Sequence, residues 1–233
     1  VLAAVTQNGK ALEYASDELK SNVDIVIAAV SNNGSALIFA ADELQSNSSV
    51  VLAAVAQNGG ALKFAADNLR GDYALVLAAV KLKGRALEFS SAELRAEKEI
   101  VLAAVKENDW AFAHASDELR ADKDFVLQVV SLKGRALEFA SDELKADPEV
   151  VLAAALEYEW AFDHAAIELI SNREFILAAV KLHGFALEYA SEDLRSDREI
   201  VLAAVKQNAE ALVYASSDLR SDRELRLSAK LGN

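Results

Sequence analysis

Hydrophobic residues return along this chain every 25 positions. The sequence VLAAV, or a close variant, recurs without insertion or deletion and starts at Val1, Val26, Val51, Val76, Val101, Val126, Val151, Ile176 and Val201. A fixed period of this length is typical of one small structural unit that is stacked many times. We therefore predict a single repeat array over residues 1–233 rather than a globule built around one core.

Within each repeat, apolar residues at helical spacing predict two helices. In the last full copy, an apolar stripe over 200–205 predicts the first helix, and a second stripe over 211–215 predicts a shorter one. An invariant leucine, Leu219 in this copy, follows in a further turn. Helices this short are marginal alone in water, so each repeat has to bury its apolar face against its neighbours. The predicted fold class is all-α: an α-solenoid of nine 25-residue two-helix repeats.

Polar residues mark where each first helix begins. Asp197 has the type and place of an N-cap, and Glu199 lies in the first turn, near the positive end of the helix dipole. The only proline, Pro148, is at the first helical position, where its missing N–H costs nothing. The equivalent positions in the other copies all have good N-cap residues except position 97, which has Glu. These residues are Asn22, Asn47, Asp72, Glu97, Asp122, Asp147, Asn172 and Asp222.

Glycine often follows the first helix, at Gly9, Gly34, Gly59, Gly84, Gly134 and Gly184. We expect these glycines to take the left-handed conformation that ends a helix. Three copies have Asp109, Glu159 or Ala209 instead, and there we expect the junction to be helical or kinked.

The two ends of the array differ from its interior. Arg226 stands where other copies begin with Val or Ile, and Lys230 replaces a later Val. Residues 222–233 therefore predict a C-terminal capping helix with a polar outer side. At the other end, Val1 lies in the middle of a predicted helix without a cap residue before it. We expect the N-terminus to be truncated or processed.

Composition and charge narrow the possible partners. The net charge of −13 argues against nucleic acid and anionic lipid, and it serves either solubility or the attraction of a basic partner. The absence of cysteine excludes disulfides and thiolate metal sites. Neither a signal peptide nor an apolar run of about 18 residues is visible, so we expect a soluble protein without direct membrane insertion. The sequence leaves the compartment and the oligomeric state open.

Catalytic chemistry has little support in the sequence. His114 and His164 lie two repeats apart, too far to share a metal ion, and His183 lies on a predicted turn. Each histidine is interpreted as a packed or hydrogen-bonded side chain. The chain has no Ser–His–Asp spacing, Gly-rich phosphate loop or HExxH motif. We predict no enzyme, no catalytic or metal-binding residue and no cofactor.

A second period, of 50 residues, alternates two types of repeat in the middle of the chain. Arginine or an aromatic residue occupies the tenth position of successive copies, at Arg85, Trp110, Arg135, Trp160 and Phe185. Stacked repeats bring such positions together, so guanidinium groups are predicted to lie against indole rings. This strip either ties the repeats together or forms a contact surface for a partner, because Trp and Arg are common in binding hot spots.

The seventh repeat is unusually apolar at positions that are polar in other copies. Leu156 and Tyr158 replace Lys and Asn, and Ile167 and Ile170 replace residues such as Asp117 and Arg120. Either a partner covers this patch or the patch is tolerated at the surface. Together with the strip, it gives the predicted partner-binding residues: Arg85, Trp110, Arg135, Tyr158, Trp160, Ile167, Ile170 and Phe185.

The run VLAAVKQN followed by ALVYASSDLRSDRE, over 201–224, resembles the repeat family catalogued as domain of unknown function 4116. Equivalent runs extend this resemblance over essentially the whole chain. The resemblance implies tandem short helices, and it implies no activity, cofactor or catalytic residue that could be assigned by position.

Three functions are compatible with these observations. The first is a non-catalytic scaffold that presents one edge of the solenoid to a protein partner. The second is an architectural spacer or clamp that is built permanently into a larger assembly. An apolar stripe continuous over several repeats would favour this function. The third, with weaker support, is a repeat region appended to an enzyme that is not present in this chain.

Overall fold

The computed structural model describes residues 1–231. Each repeat contributes a long α-helix, and we number these helices by the VLAAV copy that they contain. Their bounds are Leu2–Gln7, Val23–Asn32, Ser48–Gln57, Tyr73–Leu82, Lys98–Glu107, Lys123–Val130, Pro148–Glu157, Arg173–Leu182 and Arg198–Gln207. A final helix, Arg223–Leu231, follows the ninth repeat. The described part of the chain contains no β-strand, and the predicted all-α repeat solenoid is confirmed.

The second helix of every repeat is a 3-10 helix. These helices are Gly9–Tyr14, Gly34–Phe39, Gly59–Phe64, Gly84–Phe89, Asp109–His114, Gly134–Phe139, Glu159–His164, Gly184–Tyr189 and Ala209–Tyr214. A 3-10 helix has three residues per turn, so it places every third side chain on the same side. The helical spacing in the sequence located these helices but did not distinguish the two helix types.

The further turn with the invariant leucine is a short helix of its own. It is α-helical at Asp17–Lys20, Asp42–Gln45, Asp67–Arg70, Ala92–Arg95, Asp117–Ala121, Asp142–Lys145, Glu192–Arg195 and Ser217–Ser221. In the seventh repeat the same segment is a 3-10 helix, Ile167–Ser171. Each repeat therefore contains three helical segments, of which the sequence pattern resolved two as helices.

The chain divides into two compact units, Val1–Arg120 and Ala121–Asn233. In each unit, the long helices pack against one another in chain order, and the 3-10 helices do the same in a second layer. In the second to ninth copies of VLAAV the first, fourth and fifth residues are buried, and Val51, Ala54 and Val55 are fully so. The prediction of one continuous array over 1–233 stays a prediction.

Backbone hydrogen bonds join the short segments of neighbouring repeats within each unit. The N–H before a short helix donates to a carbonyl near the end of the preceding short helix, for example Ser91 to Arg70 at 2.9 Å and Ser191 to Ile170 at 2.8 Å. Such bonds between successive copies satisfy polar groups at the helix ends that no single repeat can satisfy alone. They also fix the register of the stack.

The predicted helix caps are confirmed. The side chains of Asn22, Asn47, Asp72, Asp122, Asp147, Asn172, Asp197 and Asp222 each accept a hydrogen bond from the first turn of the following helix. Glu97, the one poor cap residue, makes no such bond. The chain ends in the helix Arg223–Leu231, in which Leu225 is fully buried whereas Arg226 and Lys230 face solvent. That this helix caps the array stays a prediction. Residues 232 and 233 of the predicted cap lie outside the described residues.

The predicted conformation of the glycines is wrong. None of the glycines in the described part of the chain has a positive φ. Small size explains their position instead, because the next repeat approaches them closely. A Cβ on Gly184 would lie 2.7 Å from the Ala204 carbonyl oxygen, and a Cβ on Gly134 would lie 2.8 Å from the Cβ of Tyr158. Real Cβ atoms do not come that close to other atoms.

The expected difference at the junctions without glycine is also wrong. The residue before the 3-10 helix is extended in these three repeats as it is in most repeats with glycine, with φ of −146° at Asn108, −147° at Tyr158 and −148° at Asn208. The Asn108 side chain accepts the Trp110 N–H at 3.1 Å, a local turn bond that holds this shape. The junction is thus set by this extended residue and not by the residue after it.

Candidate functional site: an aromatic pocket in the second unit

A cleft of about 160 Å³ opens between the seventh, eighth and ninth repeats, all within the second unit. Five aromatic rings line it, and they belong to Trp160, Phe162, Phe185, Tyr189 and Tyr214. Three polar side chains, those of Glu159, His183 and Glu188, share the lining. We call this cleft the aromatic pocket.

The 3-10 helices Glu159–His164, Gly184–Tyr189 and Ala209–Tyr214 supply the rings, and the extended residue His183 adds its imidazole. Phe162 forms the inner wall and is only 5% exposed. It contacts Phe175 in an edge-on arrangement with ring centres 6.2 Å apart, and Tyr189 at 5.8 Å with the two ring planes at 42°. Such pairs stabilise by about 0.5–1.5 kcal/mol beyond the burial of their surface. The inner wall is therefore rigidly packed.

Outer positions of the pocket are open to solvent. Trp160 is 52% exposed and Phe185 is 36% exposed. The Phe185 ring stands edge-on to Tyr214 at 6.1 Å and 89°. Large apolar side chains left at a surface in this way are costly unless something covers them.

Two tyrosines of the pocket have hydroxyls whose pKa is raised. Burial raises the pKa of Tyr189 well above its usual range, and a hydrogen bond to Asp163 raises it further. Burial also raises the pKa of Tyr214, which donates a hydrogen bond to Glu188. Both hydroxyls therefore stay protonated.

His183 closes one side of the pocket. Its Nε2 lies 2.7 Å from the Ala155 carbonyl oxygen in the preceding repeat, and since a carbonyl only accepts, Nε2 carries the hydrogen. The imidazole ring also stands edge-on to Phe162, with centres 6.5 Å apart. This arrangement agrees with the interpretation of His183 as a packed, hydrogen-bonded side chain.

The pocket is acidic as well as aromatic. Glu159 and Glu188 are both exposed, and within residues 1–231 neither forms an ion pair with a basic side chain. A cation that entered the pocket would meet aromatic faces and two uncompensated carboxylates.

A family model described as Domain of unknown function (DUF4116) matches residues 1–45, 47–95, 97–145, 122–170, 147–195 and 197–229. Together these matches cover almost the whole chain. The chain belongs to the DUF4116 family. No curated protein and no solved structure matches the chain.

The DUF4116 matches follow the repeats but assign no function to any residue. The resemblance noted in the sequence is therefore confirmed, and with it the tandem arrangement of the helices. In the described part of this DUF4116 chain, every helix is too short or too polar to cross a lipid bilayer.

Two of the eight predicted partner-binding residues meet in the aromatic pocket, namely Trp160 and Phe185. The predicted apolar patch of the seventh repeat does not line the pocket. Of its residues, Ile167 is 73% exposed, whereas Tyr158 and Ile170 are half-buried. Whether these residues bind a partner stays a prediction.

The three remaining predicted residues lie elsewhere. Arg85 pairs with Glu88 at 3.2 Å and Arg135 with Glu138 at 4.0 Å, each within its own repeat. Trp110 is 47% exposed and belongs to the first unit. At the starts of two long helices, Arg173 and Lys123 each form salt bridges with carboxylates of the following repeat.

The sequence reasoning missed most of the pocket. It did not identify Glu159, Phe162, Glu188, Tyr189 and Tyr214 as lining residues. One signal was present: Phe replaces Leu at the twelfth position only in the fifth and seventh repeats, at Phe112 and Phe162. The tyrosines gave no signal, because an aromatic residue at that position is common to most repeats and is usually half-buried.

The other histidines do not form a site. Burial lowers the pKa of His114, and its Nε2 lies 3.9 Å from Glu88 Oε2, which partly offsets that effect. In the described part of the chain, no three residues among His, Asp and Glu are grouped so that they could hold a metal ion.

Proposed function

We propose that this protein is a non-catalytic interaction scaffold, and that it holds a protein partner along the edge where the aromatic pocket opens. The observation that carries the proposal is that Trp160 and Phe185 are exposed at a pocket whose inner wall, Phe162, is buried and packed. Trp is among the residues most enriched in binding hot spots, and a rigid, half-open apolar pocket is the usual form of such a hot spot.

Further exposed apolar residues extend this surface on the seventh repeat. Leu156 is 66% exposed and Ile167 is 73% exposed. The grouping of exposed apolar side chains in one repeat supports a bounded contact region, as a scaffold needs, more than a face buried along its full length. The polar residues of the pocket also support binding over catalysis, since His183 and Glu188 each hold a neighbouring group in place.

Affinity capture tests this proposal. The wild-type chain, the double variant Trp160→Ala/Phe185→Ala and a control, Tyr14→Ala, are each used as bait in an extract of cells that contain the protein. Tyr14 is a large hydrophobic residue that is 86% exposed, and it lies in the first unit. We expect partner proteins that are retained by wild type and control and lost with the double variant. Retention of the same proteins by all three baits would overturn the proposal.

A further inference from the structure

We propose that the aromatic pocket binds the N-methylated ammonium group of a lysine side chain on the protein partner. This inference rests on the proposed scaffold function and assigns the chemistry that its contact site recognises. Five rings surround a space of about 160 Å³, and Glu159 and Glu188 stand at the same lining. No side chain in the lining other than His183 can carry a positive charge.

Aromatic rings favour a cation because their faces carry negative charge density. A cation over an aromatic face is attracted to it, more strongly where water is excluded, and aromatic cages bind quaternary ammonium groups in this way. Here several rings act on one small volume. The two exposed carboxylates lack a basic partner in residues 1–231, so a bound cation would supply the compensation that the chain does not.

The angles between the rings favour a compact cation over a flat one. Phe185 and Tyr214 are perpendicular, at 89°, and Phe162 and Tyr189 stand at 42°. A planar guanidinium stacks best on one ring or between parallel rings, whereas rings that face a space from several directions suit a rounded group. This argues for a substituted ammonium over an arginine side chain.

The apolar lining favours methylation. An unmodified lysine ammonium is compact and strongly hydrated, so it loses much solvation when it enters such a pocket. Methyl groups reduce that hydration and fill more of the space between the rings, while the positive charge remains. The acidic net charge of the whole chain, −13, attracts basic segments in which such a lysine would lie.

The geometry is held before any ligand arrives. His183 is bonded to the Ala155 carbonyl, Tyr189 contacts Phe162, and Tyr214 contacts Phe185. Phe162 is packed against Phe175. A pocket that is already ordered loses little conformational freedom on binding, which improves affinity for a small group.

The test uses the two tryptophans as site and internal control. The indole N–H of Trp160 reports on the pocket, and that of Trp110 reports on the first unit, so a single ¹H–¹⁵N spectrum contains both signals. Trp110→Phe assigns them. The probes are a short basic peptide with trimethyllysine, the same peptide with unmodified lysine, and the same peptide with the uncharged tert-butyl analogue of trimethyllysine.

We expect the trimethyllysine peptide to shift the Trp160 signal and leave the Trp110 signal in place. We also expect the uncharged analogue to bind at least about tenfold more weakly, because it keeps the shape and loses the cation–π attraction. The double variant Glu159→Gln/Glu188→Gln should bind the trimethyllysine peptide more weakly than the wild type does. The difference in affinity between this peptide and the uncharged analogue should also become smaller. Equal binding of the charged and uncharged peptides, or no shift at Trp160, would overturn the assignment.

Two outcomes separate this inference from the proposed function. If partner capture depends on Trp160 and Phe185 but the trimethyllysine peptide does not bind, the cation assignment fails and the scaffold proposal stands. If free choline binds as tightly as the peptide, the pocket recognises quaternary ammonium in general and the assignment to lysine fails. If capture does not depend on Trp160 and Phe185, both proposals fail.

Discussion

The Ala104 carbonyl oxygen lies against Gly84 so closely that residue 84 has no room for a side chain. A Cβ there would also be 2.9 Å from Glu107 Oε2 and 3.0 Å from the Cβ of Asn108. The Gly84 N–H donates to the same Glu107 carboxylate. The glycine is therefore a contact point between the fourth and fifth repeats, and its small size lets the two repeats approach.

Gly84→Ala is expected to destabilise the first unit. A methyl group at this place forces the fifth long helix away or breaks the bond to Glu107, and overpacking of this kind costs about 1–3 kcal/mol. Urea unfolding followed by circular dichroism measures the change. An unchanged unfolding midpoint would show that the repeats separate without cost.

Gly71→Ala provides the matched control in the same unit. A Cβ on Gly71 would have no neighbour closer than 3.7 Å, and the residue has an ordinary φ of −101°. Alanine already occupies the equivalent position at Ala96 and Ala146. This substitution is expected to be neutral or to stabilise by about 0.4–1 kcal/mol, because it restricts the unfolded chain.

Acid is expected to destabilise the chain partly through Asp197. Burial acts to raise the pKa of this carboxyl, but hydrogen bonds from Arg173 and from the N–H groups of Ile200 and Glu199 outweigh it and lower the pKa below its usual value. A carboxyl with a lowered pKa stabilises the fold above its unfolded pKa of about 3.9, and this contribution is lost as the pH falls further. The free energy of unfolding should therefore drop between about pH 5 and pH 3.

Asp197→Asn isolates that contribution. Asparagine can cap the helix as Asn22, Asn47 and Asn172 do, but it carries no charge. We expect a loss of up to about 1 kcal/mol at pH 7, because the partner Arg173 is largely exposed, and a shallower decline toward pH 3. Urea unfolding at a series of pH values compares the two slopes. Parallel curves would mean that Asp197 does not contribute to the acid response.

The sequence was sufficient for the repeat, the caps and the buried positions, because each follows from local spacing. Asp147 and Pro148 located a helix start without any knowledge of neighbours. The role of Gly84 could not be found in this way, because it depends on Ala104 of the next repeat. The pocket could not be predicted for the same reason. Its residues Phe162, Tyr189 and Tyr214 come from three repeats, and only the stacking of the repeats determines their contacts.

His114 is expected to make the first unit sensitive to mild acid. Burial lowers the pKa of its imidazole, and the nearby Arg95 and Arg85 lower it further, while Glu88 acts in the opposite direction. A histidine whose folded pKa lies below its unfolded value of about 6.5 stabilises the fold fully above that pH. The contribution is lost as the pH falls, because the unfolded chain then binds the proton more readily.

His114→Phe tests this effect, since phenylalanine occupies the same place at Phe89 and Phe139. We expect the free energy of unfolding of the wild type to fall more between pH 7 and pH 5 than that of the variant. Measurements at pH 7, 6 and 5 in the same buffer ionic strength give the comparison. A variant that loses as much stability as the wild type would rule out a role for His114.

The final helix is expected to protect the ninth repeat from water through one side chain. Leu225 is fully buried, and Leu225→Ala removes that contact, which costs about 2–5 kcal/mol for a buried leucine. The control is Leu227→Ala in the same helix, which changes a side chain that is 48% exposed and should cost less than about 0.5 kcal/mol. Because repeats stabilise only their neighbours, hydrogen exchange should quicken first in 198–214 of the Leu225 variant and spread from there. Uniformly faster exchange throughout the second unit would show instead that its repeats unfold together.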